Sequence, residues 1–282
     1  MRIRVMTFNI RFDTVMDEPS GNRWADRVDS VVETVRRWRP DIVGFQEALR
    51  SQLQDLTAAL PRHRAVGRPR EAGDVGEYVP LFFDQERFFA QDYGDFWLSD
   101  TPDVEGSLGW DAPDPRHCTW ALLADEPSGQ RFAVFNTHLD RWGELARLEG
   151  ARLIATRTQL TPGVPFLVMG DLNAGEDSEP LKAFRAAGLV DTYRRVHPHH
   201  TYVGTMHNYA LPTPGEKIDF ILADSSWTTA GADIIRDEAA GRLPSDHFPV
   251  FADVELASGA RRSPAQEASI GHAAGETLAS DH

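Results

Sequence analysis

The chain has 282 residues, 41% hydrophobic and 26% charged, an ordinary globular composition that excludes a wholly disordered or collagen-like protein. Lys and Arg total 29 against 43 Asp and Glu, a formal net charge of −14, which argues against a non-specific grip on a polyanion because Lys and Arg would have to supply it. A single cysteine, Cys118, excludes an internal disulfide framework.

In chain order, Ile3, Val5 and Phe8 mark a first strand. The opening MRIRVMTFNI alternates and lacks a signal-peptide core, and no run approaches 18 consecutive apolar residues. The reading is a cytoplasmic chain with no membrane span. Val28, Val31, Val32, Val35 and Trp38 recur at helical spacing until Pro40 stops the run. A short apolar run over 41–45 ends at Gln46 and Glu47. Leu49, Leu53, Leu56 and Leu60 mark a second helix, closed by Pro61. Strands are expected over 77–84 and 87–98, then a Gly-, Pro- and Asp-rich loop over 99–117. Further strands over 119–124 and 132–136 flank the turn Pro127-Ser128-Gly129. An amphipathic helix is expected over 144–160, a strand over 164–169, and a helix over 180–187 with Gly188 at its exit. Strands over 217–223 and 248–256 complete the pattern. There is no internal sequence repeat. Residues 1–257 read as one α+β or α/β layered domain, and the Ala-, Gly- and Ser-rich stretch 258–282 as a loosely held tail.

The informative feature is where polar residues interrupt or end the apolar runs. IRVMTFN ends at Asn9 and DIVGFQE at Glu47. FAVFNTH ends at Asn136 and His138, and PFLVMGDLN at Asp171 and Asn173. KIDFILA carries Asp219 inside an apolar strand, and Asp246 and His247 precede the last strand. Strand ends meet the open face of a scaffold, so such residues can converge. Three carboxylates converging at ~5 Å would repel by roughly 3 kcal/mol per pair at an effective dielectric near 20. A divalent cation offsets that, and Asp, Glu and Asn oxygens suit Mg²⁺ or Mn²⁺ better than Zn²⁺. With two histidines the set makes a kit for hydrolysing phosphoesters: charge screening, a proton acceptor for water, and a charged donor to phosphoryl oxygen.

Each residue also has a structural alternative. Asn9 could close a turn, and Glu47 could be a solvated charge before a helix. Asp171-x-Asn173 followed by Gly175 suits a turn. Asp246 alone could cap, and His138 could be a satisfied core imidazole. Asp219 needs a partner if buried, and His247 is the natural one. His197, His199 and His200 cluster beside Pro198 and are read as a loop, with no metal assigned. Cys118 reads as a small buried residue.

Taken together, TFNIR at 7–11, GFQEAL at 44–49, NTHLD at 136–140, GDLNAGEDSEP at 170–180, KIDFIL at 217–222 and SDHFPV at 245–250 resemble the endonuclease/exonuclease/phosphatase superfamily, in its order of motifs. Trp24 to Arg27, FWLSDTP at 96–102, GW at 109–110 and PRHCTWA at 115–121 resemble a compact bacterial subgroup of it. The resemblance implies a four-layer α/β/β/α sandwich, with two mixed sheets packed face to face and helices outside. It implies Mg²⁺ or Mn²⁺ held by Asn9, Glu47 and Asp246. It implies Asp171 orienting or deprotonating the attacking water with Asn173 as its partner, His247 on the phosphate with Asp219 against it, and His138 near the leaving oxygen. Arg116, Trp110 and Arg27 are added as residues that could touch substrate, although each could equally tie a loop, plug the core or sit on a helix surface. The expected substrate is a phosphorylated small molecule. The alternatives are a nuclease of the same fold, disfavoured by the acidic charge and the absence of a basic stripe, and a non-catalytic binding module.

Overall fold

The computed structural model describes residues 1–257 except Asp74, Leu160 and Pro214. The tail expected over 258–282 lies outside the described residues. Along the chain run β1 (Arg2–Asn9), α1 (Trp24–Trp38), β2 (Ile42–Gln46), α2 (Arg50–Ala59), β3 (His63–Val66), β4 (Pro69–Glu71), β5 (Val75–Tyr78), β6 (Leu81–Asp84), β7 (Phe88–Trp97) and β8 (His117–Asp125). These are followed by β9 (Arg131–His138), α3 (Glu144–Thr158), β10 (Phe166–Asp171), α4 (Glu179–Ala186), β11 (Val190–Asp191), α5 (Thr192–Val196), β12 (Asp219–Ala223), β13 (Trp227–Ile234) and β14 (Val250–Leu256).

Two six-stranded sheets result, ordered β13-β14-β1-β2-β6-β3 and β11-β12-β10-β9-β8-β7, with β4 and β5 as a separate hairpin. Each large sheet holds a parallel pair bridged by a helix, β1-α1-β2 in one and β9-α3-β10 in the other. Period-two alternation then makes the layers. On β1, Ile3 and Val5 enter the core between the sheets, while Met6 and Phe8 join Val31 and Val35 of α1 on the outside. On β10, Leu167 and Met169 face between the sheets, while Phe166 and Val168 pack with Ile154 of α3 and Leu181 of α4. Three apolar seams separate four layers, as the resemblance implied.

Several elements differ from the sequence reading. The strand expected over 77–84 is two. β5 pairs with β4, and β6 with β2 and β3, because Pro80 interrupts the run and its carbonyl accepts from Phe45 instead. The strand expected from Lys217 starts at Asp219. β13 was not expected, since its outer face is polar or small. A two-turn 3₁₀ helix at Val15–Ser20 has no counterpart in the sequence reading. α3 buries small residues, Ala146, Gly150, Ala151 and Ala155, with Ile154 as its large anchor. No helix among the described residues is long and apolar enough to cross a membrane. Cys118 is buried and unbridged.

The sheets are tied by a buried polar network as well as by apolar packing. Asn136 Nδ2 on β9 donates to the carbonyls of Phe45 at 2.8 Å, Val79 at 3.0 Å and Pro80 at 3.0 Å. Its Oδ1 accepts from Gln46 Nε2 of β2 at 2.7 Å, and that amide also reaches Thr7 of β1. Gly44 is required beneath it, because a Cβ there would lie 2.5 Å from Asn136 Oδ1. Asn136→Ala should therefore cost about 3 kcal/mol by stranding buried carbonyls and the Gln46 amide. Urea unfolding tests this, and a loss under about 1 kcal/mol would show that the network is not a tie between the sheets.

Candidate active site

The parallel pairs bring polar strand ends to one edge of the sandwich. Asn9 ends β1 beside Gln46, the last residue of β2, and Glu47 follows. Asp171 ends β10 with His138 beside it on β9 and Asp219 on its other side in β12. Asn9 Nδ2 joins the two sheets, donating at 3.0 Å to Glu47 Oε1 and at 3.0 Å to Asp171 Oδ2. Glu47 Oε2 accepts from the Phe12 amide at 3.1 Å. The turn after β10 folds back so that the Asn173 N–H donates to Asp171 Oδ1 at 2.9 Å. Asn173 Nδ2 then donates to Leu139 O at 3.0 Å and to His138 Nε2 at 2.9 Å. That assigns the His138 proton to Nδ1, 3.9 Å from Glu77 Oε2.

His247 enters just before β14, its backbone bridged to Met206. Its Nδ1 lies 2.9 Å from Asp219 Oδ2 and 3.8 Å from Asp171 Oδ2. Asp246 points into the same cleft, 3.9 Å from Arg11 Nε. Every residue assigned to catalysis or metal by the sequence resemblance is thus in one connected cluster. The cleft above it has a volume of about 840 Å³.

The electrostatics follow from burial. Burial opposes a charge on His247, but Asp219, then Asp171 and Asp246, overcome it and hold the imidazole protonated well above its ordinary range. His138 goes the other way: burial, with Arg116 and charged His247, keeps it neutral. Asp171 is pushed up to about 7, first by burial and then by Asp219, against the pull of His247, Asn173 and Asn9. Buried Asp171, Asp219 and His247 bring ligand-type atoms within 4.8 Å of one another. The His247 nitrogen is engaged by Asp219, however, so this trio reads as a charge-balanced cluster. Glu47 and Asp246 both line the cleft with carboxylate oxygens, while Asn9 Oδ1 accepts from the Arg11 N–H at 3.0 Å.

The backbone is strained around the cleft. Arg11, Glu47, Asn173, Asn208 and Tyr209 all line it with positive φ, between 46° and 62°. Such residues cost of order 1 kcal/mol each and persist where the surroundings fix them.

The residues offered as substrate contacts divide. Arg116 lines the cleft, its Nε 3.3 Å from Asp140 Oδ2. Arg27 does not: it is fully buried, and its guanidinium is spent on the carbonyls of Ile10, Arg11, Asn22 and Pro244. Trp110 also lies outside the lining and packs against the core between the second sheet and its helices. The cleft wall instead includes Arg70, Glu77, Asp114, Arg141 and Trp142. The sequence reading placed Glu77 in a strand but not in the site, and it missed the others because they sit in loops or a short hairpin strand with no periodic signal. Arg141-Trp142 directly after NTHLD was the one available hint. The His197 and His200 rings stack 4.4 Å apart, away from this cleft.

Residues 6–247 match the profile of the Endonuclease/Exonuclease/phosphatase family. The chain belongs to that family. A solved family member from Bacteroides vulgatus is 35% identical with a TM-score of 0.83, covering 91% of this chain and all of that one. A mannosyl-6-phosphatase from Bacteroides thetaiotaomicron is 31% identical with a TM-score of 0.83, covering 90% of this chain and 100% of that one. Nocturnin of Rattus norvegicus is 24% identical over 279 residues, covering 88% of this chain. The chain spans 63% of nocturnin's length and 32% of that of a matching protein from Acanthamoeba polyphaga mimivirus. Members of this family are hydrolases acting on phosphoesters.

The Asp219–His247 pair is buried, with Asp219 fully so. Asp219→Ala should destabilise the chain by about 2 kcal/mol by stranding the imidazole, while Asp219→Asn keeps the acceptor and loses less. Thermal unfolding of the two variants gives the comparison, and equal losses would remove the pairing argument.

Proposed function

We propose that the chain is a divalent-cation-dependent phosphoester hydrolase acting on a small phosphorylated metabolite, with sugar phosphates the first class to test. The observation that carries this reading is the His247–Asp219 pair, 2.9 Å apart and set beside Asp171 on the floor of a walled cleft. Supporting it, the mannosyl-6-phosphatase aligns along its whole length.

Glu47 and Asp246 would hold the cation through carboxylate oxygens, with the Asn9 carbonyl oxygen, which now accepts from the Arg11 N–H, as a third donor; the floor carries four carboxylates (Glu47, Asp171, Asp219, Asp246) against charged His247 and Arg11, a set that suits a hard cation such as Mg²⁺ or Mn²⁺. When bound, such a cation supplies charge neutralisation and polarises a phosphoryl oxygen. The chain's own groups do the rest. Asp171, with a proton affinity raised toward neutral pH, accepts a proton from the attacking water. Asn9 and Asn173 fix its carboxylate so that it faces the cleft. His247 donates a charged hydrogen bond to the phosphoryl oxygen as negative charge accumulates, and Asp219 keeps that ring charged and oriented. Neutral His138, oriented by Asn173, faces the leaving oxygen. Arg116 adds a planar donor at the wall.

A nucleic-acid substrate finds less support. The net charge is −14, and Asp17, Glu77 and Asp114 line the cleft where a polymer's phosphates would pass.

Asp171→Asn and His247→Gln should each lower kcat by two or more orders of magnitude, Asp171→Asn with little change in melting temperature and His247→Gln with a lower one, because it leaves the buried Asp219 carboxylate without its charged partner. Steady-state assay of phosphomonoesters with Mg²⁺ or Mn²⁺ decides, and near-wild-type turnover in either removes that residue from the mechanism. EDTA should abolish activity and Mg²⁺ or Mn²⁺ restore it. Glu47→Gln should raise the cation concentration needed for half-activity at least tenfold, as loss of one carboxylate ligand implies; an unchanged requirement would place the cation elsewhere.

A further inference from the structure

Trp142 is 70% exposed, yet it stands on one of the most tightly pinned corners of the cleft. Asp140 Oδ1 accepts from the N–H groups of Trp142 at 2.8 Å and Gly143 at 2.6 Å, while Oδ2 takes Arg116 Nε at 3.3 Å. Arg147 Nη1 closes the same corner on the carbonyls of Asp140 and Arg141. Gly143 packs so closely on the next loop that a Cβ would lie 2.5 Å from Asp111 Oδ1. One carboxylate therefore sets the offset between the Arg116 guanidinium and the backbone that carries Trp142. The Arg141 guanidinium sits 5.1 Å over the ring.

A lone exposed aromatic needs no explanation, but this one is accompanied. Asp114 also lines the cleft and has no hydrogen bond or ion pair among the described residues. Glu77 stands in the same wall, held protonated more readily than usual by burial and by Glu47. An exposed apolar face in the same cleft as an unspent Asp114 carboxylate, with Glu77 already paired to Arg70 at 3.2 Å, matches a pyranose: its C–H face stacks on an indole, and its hydroxyls donate to Asp114. An acyclic polyol phosphate has no such face, and a second phosphate would meet Asp114 unfavourably.

We propose that Trp142 is the platform on which the pyranose ring of a sugar phosphate stacks, with Asp114 accepting from the ring hydroxyls, so that this corner selects cyclic over acyclic phosphomonoesters. The inference rests on the phosphomonoesterase reading above, and the experiment separates the two.

The measurement is the ratio of kcat/KM for glucose 6-phosphate or mannose 6-phosphate to that for glycerol 3-phosphate, in wild type, Trp142→Ala, Trp142→Phe and Asp114→Asn. Trp142→Ala should lower the ratio about tenfold through KM, the scale of one stacking contact. Trp142→Phe should keep most of it, and Asp114→Asn should lower it severalfold. A second readout is the tryptophan emission of Asp171→Asn, which turns over slowly: a hexose 6-phosphate should change it and inorganic phosphate should not, and the difference should vanish when Trp142→Phe is added. Equal losses on both substrates in Trp142→Ala, no loss on either, or a wild-type preference for glycerol 3-phosphate or nucleoside 5′-monophosphates would overturn the stacking role. If wild type hydrolyses none of these monoesters with Mg²⁺ or Mn²⁺, the functional reading falls and the platform with it. If it hydrolyses them and only the ratio stays fixed, the platform alone falls.

Discussion

The Asn9 side chain crosses from one sheet to the other, and the rest of the site depends on that crossing. Its amide donates to Glu47 at the end of one parallel pair and to Asp171 at the end of the other. The two carboxylates belong to different βαβ units and would separate if left to their own repulsion. A single neutral donor between them keeps them at a fixed spacing without neutralising either. The spacing is sustained from beneath by Asn136, Gln46 and Thr7, which link the same strands inside the sandwich. Two sheets can slide on an apolar seam at little cost. They cannot slide on a buried hydrogen-bond network without stranding its members.

That constraint explains the charge pattern. Asp171, Asp219 and Asp246 can share a buried edge because the His247 imidazole, itself disfavoured by burial, is held charged between them. A neutral His138 stands nearby, so the two histidines are set to opposite protonation states by their neighbours. The same edge carries the left-handed backbone at Glu47 and Asn173. Stability given up in strain and like-charge proximity here is supplied by the three apolar seams, which run through all four layers. This division places a destabilised, functional edge on a rigid scaffold.

Asp140 organises the outer part of the cleft much as Asn9 organises the floor. It fixes the backbone under Trp142 and the guanidinium of Arg116 with one carboxylate.

Family and layer architecture were legible in the residue string because short motifs at strand ends, such as NTHLD and SDH, are read by order along the chain, and alternation along β1 and β10 already assigns two faces to each strand. Asp219 was legible for the same reason: a carboxylate inside Ile218–Leu222 has to find a partner. What folding alone decided is anything that depends on two distant segments meeting. Periodicity marks Glu77 only as the start of a strand, gives no signal for Trp142 two residues past a motif's edge, and could not tell that Arg27 would spend itself on four carbonyls while Arg116 lines the cleft. Those outcomes are set by which backbone groups are left unpaired once the sheets have packed, and that quantity does not exist until the chain has closed.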